Sequence, residues 1–243
     1  MSDKDHTSSS NSGSGDASSG QNVIDFFSGR KLCDLQDQRI IRLAPELDGL
    51  EMLYSNEASK DKFFSLRILC WALRESGEVV GLVPWLKDIT ACPDIADPLN
   101  GQWEGYYDAR LDEIFYEPPI HKVVEIETAA EYYSYLQSPH YAKVQEISDT
   151  IGTHVVFSDA DNRSITLQEV ISWQLDQTGL LKPMIVDEDK VSSTPILPGD
   201  DCLVDAKQHP QFRYFFQHHI ANKIKSEDPE ALAAISMLVD EPS

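Results

Sequence analysis

The residues best equipped for chemistry stand in one short stretch, Trp103-Glu104-Gly105-Tyr106-Tyr107-Asp108. The carboxylates of Glu104 and Asp108 offer an acid/base pair or a cation site, and the rings of Trp103, Tyr106 and Tyr107 offer stacking surfaces for a ligand. Glycoside hydrolysis is one reaction such a set supports, provided the two carboxyl groups are held at a defined separation. The structural alternative is that aromatic side chains in a long connection pin it to a core.

Other clusters read as turns or core. Asp159-Ala160-Asp161-Asn162-Arg163-Ser164, with Glu169 beyond, has the outline of a calcium loop. Ser164 stands at the sixth position, where that loop needs Gly, and Glu169 falls at the eleventh rather than the twelfth. Asp, Asn and Ser form turns for local backbone reasons, so a turn is expected. Gly199-Asp200-Asp201 after Pro198 has turn composition as well. His209 precedes a predicted helix containing His218 and His219, which point to different sides, and no H-E-x-x-H accompanies them. The cysteines at 33, 70, 92 and 202 have neither C-x-x-C nor zinc-ligand spacing. Cys70 sits in an apolar run and reads as a small core residue. The glycine motifs of nucleotide-binding proteins and the G-x-S-x-G elbow are missing. Neither a metal nor a cofactor is expected.

Charge bounds the partners. Twenty Lys and Arg against 41 Asp and Glu leave a net charge of -21. That field repels nucleic-acid phosphates and anionic headgroups and attracts a basic protein partner. No apolar run is long enough to span a bilayer, and the first residues lack the apolar stretch of a secretory signal. The expectation is a soluble, cytoplasmic protein that contacts neither membrane nor nucleic acid.

The elements that must position these residues are read from periodicity. Ten of the thirteen residues from Ser8 to Gly20 are Ser or Gly. Residues 1–22 therefore lack the apolar surface to offset ordering entropy and are expected to be a disordered tail. Residues 23–243 are expected to form one globular domain, long enough to bury a core unaided. Arg39 to Leu43 reads as a strand or a helix turn. Phe64 to Leu73 and Val79 to Trp85, around the turn Glu75-Ser76-Gly77-Glu78, read as a hairpin apolar on both faces, with a helix over 61–74 as the rival. Residues 86–120 show little periodicity, which implies a functional loop or additional strands.

Val123 to Ile126 and Thr153 to Phe157 read as strands. Thr128 with Glu131 and Thr166 with Glu169 have capping-box spacing, so helices are expected after each strand. Phe212, Phe216, Ile220 and Ile224 predict a helix from about 210 to 225, and Asp228-Pro229 opens another. No internal repeat is visible beyond the two capping boxes. The fold these elements predict is α/β (or α+β), a mixed sheet with an early antiparallel hairpin and helices packed on it. The leading expectation for function is a non-enzymatic interaction or accessory protein. The alternatives are a small hydrolase built on residues 103–108 and an acidic inhibitor that mimics nucleic acid.

Overall fold

Among the described residues, apolar side chains leave water almost entirely through period-two strands. The computed structural model describes residues 38–55, 64–97, 101–133, 143–158, 164–191 and 195–217, all within the unit Asp37–Ser243. The first half holds β1 (Ile40–Pro45), β2 (Glu51–Ser55), β3 (Phe64–Arg67), β4 (Cys70–Arg74), β5 (Val79–Trp85), β6 (Asp88–Ala91), β7 (Ala96–Asp97), β8 (Gly101–Asp108) and β9 (Glu113–Phe115). A helix, α1 (Ile120–Tyr133), follows. The second half holds β10 (Lys143–Ser148), β11 (Thr153–Ser158), β12 (Ile165–Glu169), β13 (Ser172–Asp176), β14 (Leu181–Val186), β15 (Leu203–Asp205) and β16 (Phe212–Gln217).

The strands form four small antiparallel sheets: β1-β4-β5-β6, β3-β2-β8-β7 with β9 on β8, β10-β13-β14-β15, and β12-β11-β16. They join in a propeller-like ring. The two-residue step at Ile68-Leu69 carries the chain from β3 to β4, with Ile68 N–H donating to Leu50 and Leu69 N–H to Leu82. Val170-Ile171 makes the same step from β12 to β13, donating to Thr153 and Met184. Two glutamine amides close the other joints by imitating a peptide group. Gln145 exchanges hydrogen bonds with the backbone of Leu43 at 2.8 and 2.7 Å, and Gln217 does so with Arg67 at 3.0 and 2.8 Å.

The mixed sheet carrying helices that periodicity predicts is therefore corrected to antiparallel sheets with one helix among the described residues. Thr166 and Glu169, expected to cap a helix, lie on β12, whose Ile165 and Leu167 pack toward Val156 and Tyr214. Phe212 to Gln217 is a strand because both of its faces are covered: Phe215 enters the main core, while Tyr214 and Phe216 pack on the other side. Val123 to Ile126 lies inside α1, so Thr128 is mid-helix rather than its cap. Pro118-Pro119 ends the preceding extended segment, and the Pro119 carbonyl accepts the N–H groups of Lys122 and Val123. The loop at 86–120 contains four strands, β6 to β9. Residues 1–22, the acidic loop at 159–163, His218, His219 and the predicted last helix lie outside the described residues.

The two halves are copies of one plan. Strand for strand, the order β1-β4-β5-β6 with β3-β2-β8 repeats as β10-β13-β14-β15 with β12-β11-β16. A 3-10 turn lies between β6 and β8 in the first half and between β15 and β16 in the second, at Cys92–Asp94 and Ala206–Gln208. The hairpin turns close alike, with Gly77 donating to Arg74 and Gly179 donating to Asp176. Compensated exchanges support the alignment. In the first repeat Gly81 N–H donates to the Tyr106 hydroxyl at 3.0 Å, and Tyr106 packs 5.0 Å from Trp71. In the second, Pro183 has no N–H, Phe215 has no hydroxyl, and Phe215 packs 5.6 Å from Trp173. Donor and acceptor are lost together, so no buried polar group is stranded.

The cores show how the repeats stack. Trp71, Leu73, Val79, Val83, Met52 and Tyr106 fill the first repeat, and its open side is covered by Ile126 and Val123 of α1. Their counterparts, including Trp173, Leu175, Leu181, Ile185, Val155 and Phe215, fill the second. The second repeat's open side is covered by the opposite face of β4 and β5, namely Cys70, Ala72, Val80 and Leu82. That packing explains why the early hairpin is apolar on both faces. The equivalent face of β13 and β14 carries Ser172, Gln174, Lys182 and Met184, with Lys182 paired to Asp176 at 3.1 Å. This face is more polar than its counterpart on β4 and β5, with Gln174 and Lys182 half-buried and Ser172 and Met184 buried.

Candidate functional site

Each repeat turns from its first strand to its second around a carboxylate. Glu46 accepts the Trp71 indole N–H at 2.6 Å and the backbone N–H groups of Asp48 and Leu50. Asp149 accepts the Trp173 indole N–H at 2.9 Å and the N–H groups of Ile151, Gly152 and Thr153. The acid thus fixes the corner and the large aromatic of the core in one step.

Only the first repeat adds a cation to this corner among the described residues. Lys122, reaching in from α1 with its side chain 4% exposed, lies 3.0 Å from Asp48 and 3.7 Å from both Glu46 and Glu125. Burial pulls the Lys122 ammonium toward neutrality, but the hydrogen bond to Asp48 and the charges of Glu46, Asp48 and Glu125 outweigh it and raise its pKa. Hydrogen bonds from Lys122 and His121 hold the Asp48 carboxyl below its ordinary value of 3.8. Ionised Asp48 therefore stabilises the fold fully above pH 3.8, and this contribution is lost as pH falls through its lower folded value. Urea midpoints between pH 5 and pH 3 should accordingly fall more steeply for the parent than for Asp48→Asn. Parallel slopes would refute that assignment.

Between this helix and the first hairpin lies a cleft of about 380 Å³, lined by Gly77, Glu78, Val79 and Pro93 on one side and by Tyr116, Glu117, Pro118 and Ile120 on the other, with Val80, Tyr106 and Val123. Tyr116 and Ile120 are 68% and 76% exposed, and Ile114 and Val124 add exposed apolar surface on the neighbouring elements. The surrounding charge is negative. Buried Arg74 is flanked by Glu78 and Asp94, each at 2.7 Å, and Glu117 stands exposed. Glu78, Asp94 and Glu117 against the one guanidinium of Arg74 leave the rim net negative, so it attracts cations.

The residues singled out from sequence separate across β8. Tyr106 is buried and contributes to the cleft wall. Trp103 packs 5.3 Å from Tyr106 and 6.1 Å from Tyr116, behind the cleft. Glu104 accepts a hydrogen bond from the Ser55 hydroxyl. Asp108 binds the Arg110 guanidinium at 2.9 Å and the Arg110 N–H, closing the turn between β8 and β9; those bonds lower its pKa. Tyr107 donates to Asp112. Neither Glu104 nor Asp108 lines the cleft. Sequence reasoning missed Gly77, Tyr116 and Ile120. The signal was present in Phe115-Tyr116-Glu117-Pro118-Pro119-Ile120, an apolar run whose prolines withhold donors from a sheet.

Elsewhere, Asp200 accepts the Leu197 N–H as a turn residue, and His209 packs 4.8 Å from Phe157. Cys70, Cys92 and Cys202 are buried free thiols. Burial pushes Cys70 and Cys92 well above the ordinary thiol range, so alkylation should leave both unmodified until the chain is unfolded. Peptide mapping after treatment with iodoacetamide tests this, and rapid labelling of either in the folded state would contradict it. Among the described residues no three His, Cys, Asp or Glu side chains converge as a metal site, and no helix is long and apolar enough to cross a membrane.

The class that fold and site define is a tandem pair of small β-units with an acidic, apolar cleft on the first. Comparisons with protein-family models, curated proteins and solved structures return no match to this chain.

Proposed function

We propose that this chain is a protein-interaction module that binds a basic, partly apolar segment of a partner protein in the first-repeat cleft. The observation that carries this reading is the pairing of exposed Tyr116 and Ile120 with a rim in which carboxylates outnumber cations. A volume of about 380 Å³ suits a few side chains, not a folded domain. The net charge of -21 steers a basic partner toward the chain from a distance. Binding is favoured over hydrolysis because Glu104 and Asp108 are engaged in local structure away from the cleft. A cytoplasmic setting with reduced thiols is part of the same reading.

Titration calorimetry with octapeptides tests it. A peptide with two arginines and three aliphatic residues should bind and weaken as salt rises, whereas its glutamate counterpart should not bind. Tyr116→Ala and Ile120→Ser change exposed side chains, so folding is kept, and each should weaken binding about tenfold. The reading is wrong if no basic peptide binds, or if both variants bind as the parent does.

A further inference from the structure

The second repeat shows what the first-repeat cleft is shaped to hold. Gly77 and Gly179 are equivalent turn residues with nearly identical backbone, φ +88° and +87°. At Gly77, which lines the cleft, a Cβ would meet nothing within 4 Å. At Gly179 it would meet Arg39 Cγ at 2.7 Å, Ile40 N at 2.9 Å and Ile40 O at 3.0 Å. The corresponding place in the second repeat is thus filled by the chain's own extended segment as it enters β1. Arg39 donates to the Gln177 carbonyl in the turn at 2.5 Å and lies 3.5 Å from Glu75, while Ile40 packs against the second repeat's core.

From this internal occupant we infer that the cleft takes an extended strand segment in which a basic residue is followed by a β-branched one. This inference rests on the interaction reading above and specifies its ligand. The chemistry matches on both counts. Exposed Glu117 on the cleft lining supplies a carboxylate for the basic group, while Glu78, at the turn position that Leu180 occupies in the second repeat, is bonded to Arg74 at 2.7 Å. Val79, Tyr106, Ile120 and Val123 supply the apolar surface for the branched side chain. An extended segment suits the site because its side chains alternate, one entering the cleft while the next reaches the rim.

The test uses the full chain and three synthetic peptides followed by calorimetry. The first reproduces residues 38–45, Gln-Arg-Ile-Ile-Arg-Leu-Ala-Pro. The second replaces both isoleucines by serine and keeps the charge. The third places the same eight residues in an order that separates each arginine from isoleucine. The first should bind at least tenfold more tightly than the others, and Tyr116→Ala or Ile120→Ser in the protein should abolish that preference. Equal binding of all three, sensitive to Ile120→Ser, would overturn this inference while leaving the interaction reading intact. Binding of none would overturn both. A preference that survives both protein variants would place the peptide elsewhere and overturn the inference.

Discussion

Glu46→Ala should lower the unfolding free energy by about 3–5 kcal/mol, because it leaves several buried donors without their acceptor and takes one of three carboxylates from a buried cation. Glu46 is almost fully enclosed, with its side chain 1% exposed, and it holds Trp71, two backbone N–H groups and one flank of Lys122. Removing the carboxylate leaves the Trp71 indole N–H without its acceptor in an apolar core and leaves Lys122 relying on Asp48 and Glu125. The matched change Asp149→Ala should cost about 1–3 kcal/mol, since Asp149 supports donors only, with no lysine ion-paired to it among the described residues. Denaturant midpoints of both variants measure the difference.

A second variant makes the argument specific to charge. Lys122→Met keeps most of the volume and removes the cation. Combined with Glu46→Ala, it should be less damaging than the sum of the single changes, with coupling of about 1–3 kcal/mol. Strict additivity would mean that Lys122 is held by Asp48 and Glu125 without Glu46, which would then act only as a corner. The coupling also bears on function, because Lys122 anchors the helix whose Ile120 and Val123 form one wall of the cleft. Loosening it should weaken peptide binding as well as stability.

Of the hairpin expected over 64–85, only 70–85 forms one, and it was legible because each side of β4 and β5 meets a core; Phe64 to Arg67 pairs with β2 in a different sheet. The second hairpin was not legible, because Ser172, Gln174 and Lys182 put polar side chains on the face opposite Trp173 and Leu175 and dilute the strand pattern. Capping-box spacing misled at Thr166 because a threonine and a glutamate three apart fit a strand edge equally well. Four-residue spacing misled at Phe212 because a strand covered on both sides shows apolar residues without alternation. The repeat itself was hidden by the environments of its copies. What survives is Glu46 with Asp149, Gly49 with Gly152, Trp71 with Trp173 and Gly77 with Gly179, each pair separated by 102 or 103 positions. Positions facing different neighbours, such as Val80 and Lys182, kept no resemblance. Of the stretch at 103–108, Trp103 and Tyr106 pack together while Tyr107 bonds to Asp112, and Glu104 and Asp108 are held in local pairs by partners no spacing rule reveals.

The paired glycines give the second large effect and a clean comparison. An L residue at the left-handed φ they share costs about 1–2 kcal/mol wherever it is placed. Gly77→Ala should therefore destabilise by about that amount, since its new methyl enters open space. Gly179→Ala carries the same backbone strain and also drives its methyl against the Ile40 backbone at 2.9 to 3.0 Å, which a strand held by Arg74 and Glu75 cannot yield cheaply. Overpacking of that kind adds about 1–3 kcal/mol, for a total of about 2–5. The φ terms cancel in the difference, so the gap between the two variants reports the contact with Arg39-Ile40 alone. Equal costs would deny that contact. The opposite ranking should hold for binding of the 38–45 peptide: Gly77→Ala occupies the space its arginine and isoleucine would use and weakens it, while Gly179→Ala leaves the cleft as it was.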